Sequence, residues 1–288
     1  MSRTWGIPTG KLLSLCTATI CLAFQATERQ AGAQTYTLAD ANSQATVDTA
    51  SSAGMNSWSV DGQNQLSQQW FWYRIGNTGT GNPDQPINTL SAASVNQPVA
   101  NLLKTTYTGS QLRIEVDYTL NGQDPGSGGA DMQETIKIKN VSLAGYTLHF
   151  FQYSDFDLGG SPLGDSVALN VDQGTGLFTG ATQSKLNINL TETTSQTSDI
   201  PFASHGEVDT FNNTLVRLGT SYDLNDNASA GPGDVTWALE WNLNIAAGQT
   251  ITISKDKLIS GVAVPEPSAL ALAVLGLGFA AFAVRRRA

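Results

Sequence analysis

The body of the chain is written in alternation. Leu112, Ile114, Val116, Tyr118 and Leu120 occupy every second position, with Arg113, Glu115, Asp117 and Thr119 between them. Trp237, Leu239, Trp241, Leu243 and Ile245 alternate with Ala238, Glu240, Asn242 and Asn244, and Leu186, Ile188 and Leu190 with Asn187 and Asn189. Successive side chains of an extended strand point to opposite faces, so a period of two predicts strands with one buried face. Similar runs near 45–48, 57–60, 135–141, 146–153, 167–172 and 250–259 predict more of them. Residues 70–75 (WFWYRI) read as apolar on both faces, the pattern of a central strand. A short helix is expected around 206–218.

Turn-forming groups separate the runs: Asn121-Gly122, Asp157-Leu158-Gly159-Gly160, Gly174-Thr175-Gly176, Gly231-Pro232-Gly233 and Ala247-Gly248. Closely spaced strands without recurring amphipathic helices predict an all-β fold, an antiparallel sandwich or jelly roll of about a dozen strands. One domain over residues 34–263 is expected; a split at the Gly-rich 126–130 stretch is the alternative, and a long hairpin loop is the favoured explanation of those glycines.

The two ends follow another rule. Arg3 and Lys11 precede the uncharged run Leu12–Phe24, and a polar stretch then ends in Ala31-Gly32-Ala33. A basic start, a short apolar middle and A-x-A predict a secretory signal peptide over residues 1–33, cut after Ala33 by signal peptidase. Thirteen residues are too few to span a bilayer, which needs about 20. Cys16 and Cys21 both lie in that run, so the mature chain carries no cysteine, no disulfide and no thiol chemistry. Of 15 basic and 24 acidic residues, six and two lie in the terminal segments, leaving 9 and 22, a net charge of −13. Such a chain repels nucleic acid and anionic lipid, whose binding needs clustered Lys and Arg.

At the other end, Ser268 to Val284 is an apolar or small-residue segment followed by Arg285, Arg286 and Arg287. As a helix it spans about 25 Å, the short end of the membrane range, with the arginines on the cytoplasmic side. Val264, Pro265, Glu266 and Pro267 stand directly before it. This order over residues 264–288 closely resembles the PEP-CTERM sorting signal of Gram-negative bacteria. The resemblance implies recognition by an exosortase in the inner membrane and removal of the anchor near the motif. Two prolines keep that region extended and accessible. The body is similar to β-rich domains found ahead of such tails. The stretch from Phe151 to Leu158 (FQYSDFDL), the Trp237–Trp241 strand and the Ala246-Ala247-Gly248 turn carry that likeness. It adds no activity.

Candidate chemistry is sparse. Asp155 and Asp157 stand about 6.6 Å apart along an extended strand; two carboxylates can share a Ca²⁺ or act as acid and base, and Gly159-Gly160 also fits a plain turn. Asp223, Asn225, Asn227 and Asp234 place oxygen side chains at positions 1, 3, 5 and 12 of a Ca²⁺-loop spacing and resemble the D-x-N-D-N calcium motif of cadherins. Ala228 stands where such a loop has glycine. Without an ion, the same residues are an ordinary Asx-rich turn. His149 is expected to be packed or at a sheet edge and His205 solvated, neither with a motif-spaced partner. No nucleotide, zinc-protease or serine-elbow motif occurs. Trp70, Trp72, Trp237 and Trp241 are expected in the core.

The sequence therefore reads as an exported, acidic β-sandwich, a structural or interaction protein of the cell surface or exopolysaccharide matrix without catalysis. It would pass transiently through the inner membrane. A carbohydrate-binding module is the first alternative, a secreted hydrolase without a sequence motif the second. No cofactor is expected beyond Ca²⁺.

Overall fold

Local alternation becomes paired strands in the computed structural model, which describes residues 34–195 and 202–261. The strands are β1 (Thr35–Asp40), β2 (Ser43–Asp48), β3 (Gly54–Val60), β4 (Gln63–Asn64), β5 (Gln68–Ile75), β6 (Gln85–Pro86), β7 (Ser94–Val99), β8 (Leu102–Thr108) and β9 (Leu112–Gly122). They continue as β10 (Ala130–Asn140), β11 (Tyr146–Asp155), β12 (Asp165–Val171), β13 (Phe178–Lys185), β14 (Ile188–Ser195), β15 (His205–Thr210), β16 (Ser229–Gly233), β17 (Val235–Ile245) and β18 (Thr250–Ser260). One helix, α1 (Phe211–Leu218), stands between β15 and β16.

The strands form two sheets. The first runs β1-β2-β3-β5-β11-β17-β15, with β4 and β6 added at β3 and β5. The second runs β16-β12-β13-β14-β18-β10-β9-β8-β7. Pairing is antiparallel except between β3 and β5. Two nine-stranded, largely antiparallel sheets make the fold the expected all-β sandwich.

The sheets meet across a shared core. Phe150 stacks on Phe71 at 5.7 Å between ring centroids and touches Trp241 at 6.0 Å. Trp70 meets Tyr107 of the opposite sheet edge-on at 6.1 Å. Trp70, Trp72, Trp237 and Trp241 are all buried. Gly54 has φ +57°, and a Cβ there would sit 2.3 Å from the Trp70 ring, so only glycine lets that indole lie against β3.

Two local expectations change. Leu186 does not share the buried face of Ile188 and Leu190: Lys185 pairs with Ile188, and Leu186 turns the hairpin at φ +49° and 98% exposure. The stretch 206–218 begins as strand β15, because His205–Thr210 pairs with β17, and becomes helical only at Phe211. The glycines at 126–129 close the hairpin between β9 and β10, which pair from Gly122↔Ala130 onward. Among the described residues, no helix is long and apolar enough to cross a membrane. The signal peptide with Ala31 and Ala33, and the tail from Val264 to Arg287, lie outside the described residues.

Candidate functional site

The outer face of the first sheet is where chemistry-bearing residues converge. Strand register builds the site. On β5, β11, β17 and β15, which neighbour one another, Arg74 faces His149 directly and Glu240 faces His205 directly. His149 reaches Glu240 diagonally, Nδ1 to Oε1 at 2.9 Å. Four adjacent strands therefore each supply one ionisable side chain to a single row.

Two loops close over this row. The segment after β5 brings Asp84, which binds the Arg74 guanidinium, and Thr78, whose hydroxyl donates to Asp223 at 2.6 Å. The segment after α1 brings Asp223, at 3.0 Å from Arg74 and 3.3 Å from His149. Its Leu224 amide donates to Glu240 at 2.8 Å. Arg74 is 2% exposed and His149 4%. The guanidinium lies 5.4 Å over Phe151, and the imidazole stacks on the same ring. His149 Nε2 is buried without a hydrogen-bond partner. At the rim the cluster meets solvent: His205 contacts Asp226 at 3.1 Å, and both are at least partly exposed.

Three carboxylates around one guanidinium cannot all ionise without cost. Burial, only partly offset by Arg74, pushes Asp84 up to about 8. Burial also raises Glu240, against the hydrogen bonds from His149 and Leu224. Burial alone would raise Asp223 too, but hydrogen bonds from Thr78 and Glu240 and both imidazoles hold it below the ordinary range. His149, Asp223 and Glu240 place one ligand atom each within 4.8 Å of one another, a spacing able to hold a metal. Arg74, 3.0 Å from Asp223, already supplies the positive charge there.

The residues of the sequence-level Ca²⁺ loop separate. Asp223 joins the cluster above. Asn225 Oδ1 accepts from the Asn227 amide, and the Asn227 side chain donates to the Val208 carbonyl, an internal turn. Asp234 lies instead with Asp155 and Asp157, whose carboxylate oxygens fall within 4.8 Å of its own. Burial and then the fields of Asp157 and Asp234 push Asp155 up to about 7. Sequence reasoning passed over Arg74 and Glu240. A lone arginine inside an apolar run and a glutamate in a Trp-rich strand were the available signals.

This architecture recurs in proteins of different chemistry. A putative aldose 1-epimerase from Escherichia coli K12 superposes with a TM-score of 0.54 at 10% identity, over 80% of this chain and 100% of that one. A bacterial glucoamylase complexed with acarbose gives 0.53 at 10% identity, over 85% of this chain and 36% of that one, so the chain spans about a third of that enzyme. A copper-containing benzylamine oxidase from Hansenula polymorpha gives 0.50 at 6% identity, over 81% and 60%. Likeness at this level establishes a shared fold and no activity. No curated protein sequence matches the chain. Residues 263–287 match the PEP-CTERM protein-sorting motif. The chain is thus a β-sandwich protein carrying, at its C-terminal end, the signal of an exosortase-sorted exported protein.

Proposed function

We propose that this protein is delivered to the cell surface or exopolysaccharide matrix through exosortase, and that its sandwich acts there by binding polysaccharide without catalysis. One observation carries the reading. The groups able to move protons, His149 and Glu240, are buried and engaged with each other and with Arg74 or Asp223. Only the rim of the cluster faces solvent. There Asp223, His205 and Asp226 are partly exposed, and Tyr222, next to Asp223 in the chain, is 57% exposed. Carboxylates and an imidazole at an open rim, with an exposed aromatic ring in the same loop as Asp223 and Asp226, suit a sugar, which stacks its apolar face and hydrogen-bonds its hydroxyls. The buried ion cluster would hold that rim in place. Two proteins of this fold carry names tied to sugars, an aldose 1-epimerase and a glucoamylase complexed with acarbose, which favours carbohydrate as the ligand class.

The test is calorimetric titration of the purified protein with exopolysaccharide from its own producing cells. Tyr222→Ala and His205→Ala should each weaken binding about tenfold, the scale of roughly 1.4 kcal/mol, with melting temperature unchanged. Turnover of the polysaccharide or of a free aldose by the parent would replace this reading with an enzymatic one. Absence of any binding would leave only a structural role.

A further inference from the structure

A second acidic group lies apart from the Arg74 cluster, where the two sheets exchange strands. Asp155 is the last residue of β11, and Asp157 follows two residues later. Asp234 is the single residue between β16 of the second sheet and β17 of the first. Their carboxylate oxygens lie within 4.8 Å of one another. Among the described residues, no ion pair reaches any of the three; the nearby Lys185 is committed to Asp165, at 3.5 Å.

Crowded acids alone would mean little, but here one of them is buried with one carboxylate oxygen that nothing binds, although Ser67 hydrogen-bonds the same side chain. Asp155 is 2% exposed, and its Oδ1 has no hydrogen-bond partner. A buried carboxylate oxygen without a donor carries a desolvation penalty unless something compensates it. Asp157 and Asp234 are half-buried, so the group is closed at its base and open at its mouth. That is the arrangement of a binding site for something small and positive.

We propose that Asp155, Asp157 and Asp234 hold one Ca²⁺. Every side-chain donor in the set is a hard oxygen, with no imidazole or thiolate to favour zinc or copper. Three carboxylates, used singly or in pairs of oxygens, supply much of the six to eight oxygens that Ca²⁺ takes, with water filling the open side. The ion would replace mutual repulsion by attraction and tie the end of β11 to the crossing from β16 into β17. It would therefore fasten the two sheets to each other at this corner. An affinity of about 10⁻⁴–10⁻³ M, the range of extracellular calcium modules, is enough for a protein that works outside the cell.

Melting of the purified full chain tests this, in about 5 mM CaCl₂, in the same concentration of MgCl₂ and in chelator. Ca²⁺ should raise the melting temperature by roughly 3–6 °C and Mg²⁺ by less. The double variant Asp157→Asn/Asp234→Asn, at half-buried positions, should melt in chelator no lower than the parent, since repulsion is relieved. It should lose the Ca²⁺-dependent rise. An Asp223→Ala variant should keep that rise. Equal melting of the parent in Ca²⁺ and chelator overturns the site. A Ca²⁺ rise that survives in the double variant and vanishes with Asp223→Ala moves the ion to the other cluster and overturns it equally.

Discussion

Arg74 shows how much a single residue can gather. Its guanidinium faces Asp84, Asp223 and Glu240 from a strand whose other side chains are all uncharged. Asp84, raised to about 8 from an ordinary 3.8, is the member most affected. A carboxyl whose folded value lies above its unfolded one binds more protons in the folded state between the two values. Its contribution to stability is full below about 4 and is lost as pH rises through about 8. The melting temperature should therefore fall between about pH 4 and pH 8, and Asp84→Asn, which cannot lose a proton, should flatten that fall. An unchanged slope in the variant would show that Asp84 stays ionised beside Arg74. None of this cluster was visible from spacing, because Arg74 and Asp223 are 149 residues apart and His149 and Glu240 are 91. The histidines had no partner nearby in sequence; register across four strands supplied partners from elsewhere.

At the scale of elements, alternation told the truth about faces and concealed what two of those faces carry. In β18, Lys255 and Lys257 share the side of Ile251, Ile253 and Ile259, and all five are buried. Glu134 in β10 and Glu192 in β14 stand on the same side of their strands, and β10 and β14 flank β18. Lys257 pairs with Glu134 and Lys255 with Glu192; Gln69 and Gln152 reach across from the first sheet to the same glutamates at 2.8 Å. The charges could be read in the sequence, but their compensation could not, because it depends on which strands become neighbours. Desolvating four charges consumes most of what their attraction returns, so we expect this network to fix register more than to add stability. Lys257→Met alone, leaving Glu134 without its partner, should cost about 3–5 kcal/mol in urea unfolding. Lys257→Met combined with Glu134→Leu should recover most of that loss. If the pair of substitutions were as damaging as the single one, the network would be a source of net stability.

At the scale of the whole molecule, the pattern of hydrophobic positions was sufficient for an all-β sandwich and insufficient for its strand order. Each sheet draws strands from distant parts of the chain, as where β11 sits between β5 and β17, and period two carries no information about which strands become neighbours. The sorting signal was legible because it is contiguous: its residues need no folding to be recognised. That difference yields the last prediction. A plain anchor holds a bilayer through apolar length and flanking charge and is indifferent to a particular tripeptide before it. An enzyme that reads residues 263–287, which match the sorting motif, depends on that tripeptide. Changing Pro265, Glu266 and Pro267 to alanine should thus leave export, the sandwich and membrane insertion intact while blocking release. The altered chain should collect in the inner membrane at its uncut mass, and the parent should be found outside without Arg285, Arg286 and Arg287. Loss of the exosortase from the host should reproduce the same retention for the unaltered chain. If parent and triple variant share one mass and one location by mass spectrometry of membrane and extracellular fractions, the tail is an anchor and the sandwich stays tethered at the membrane.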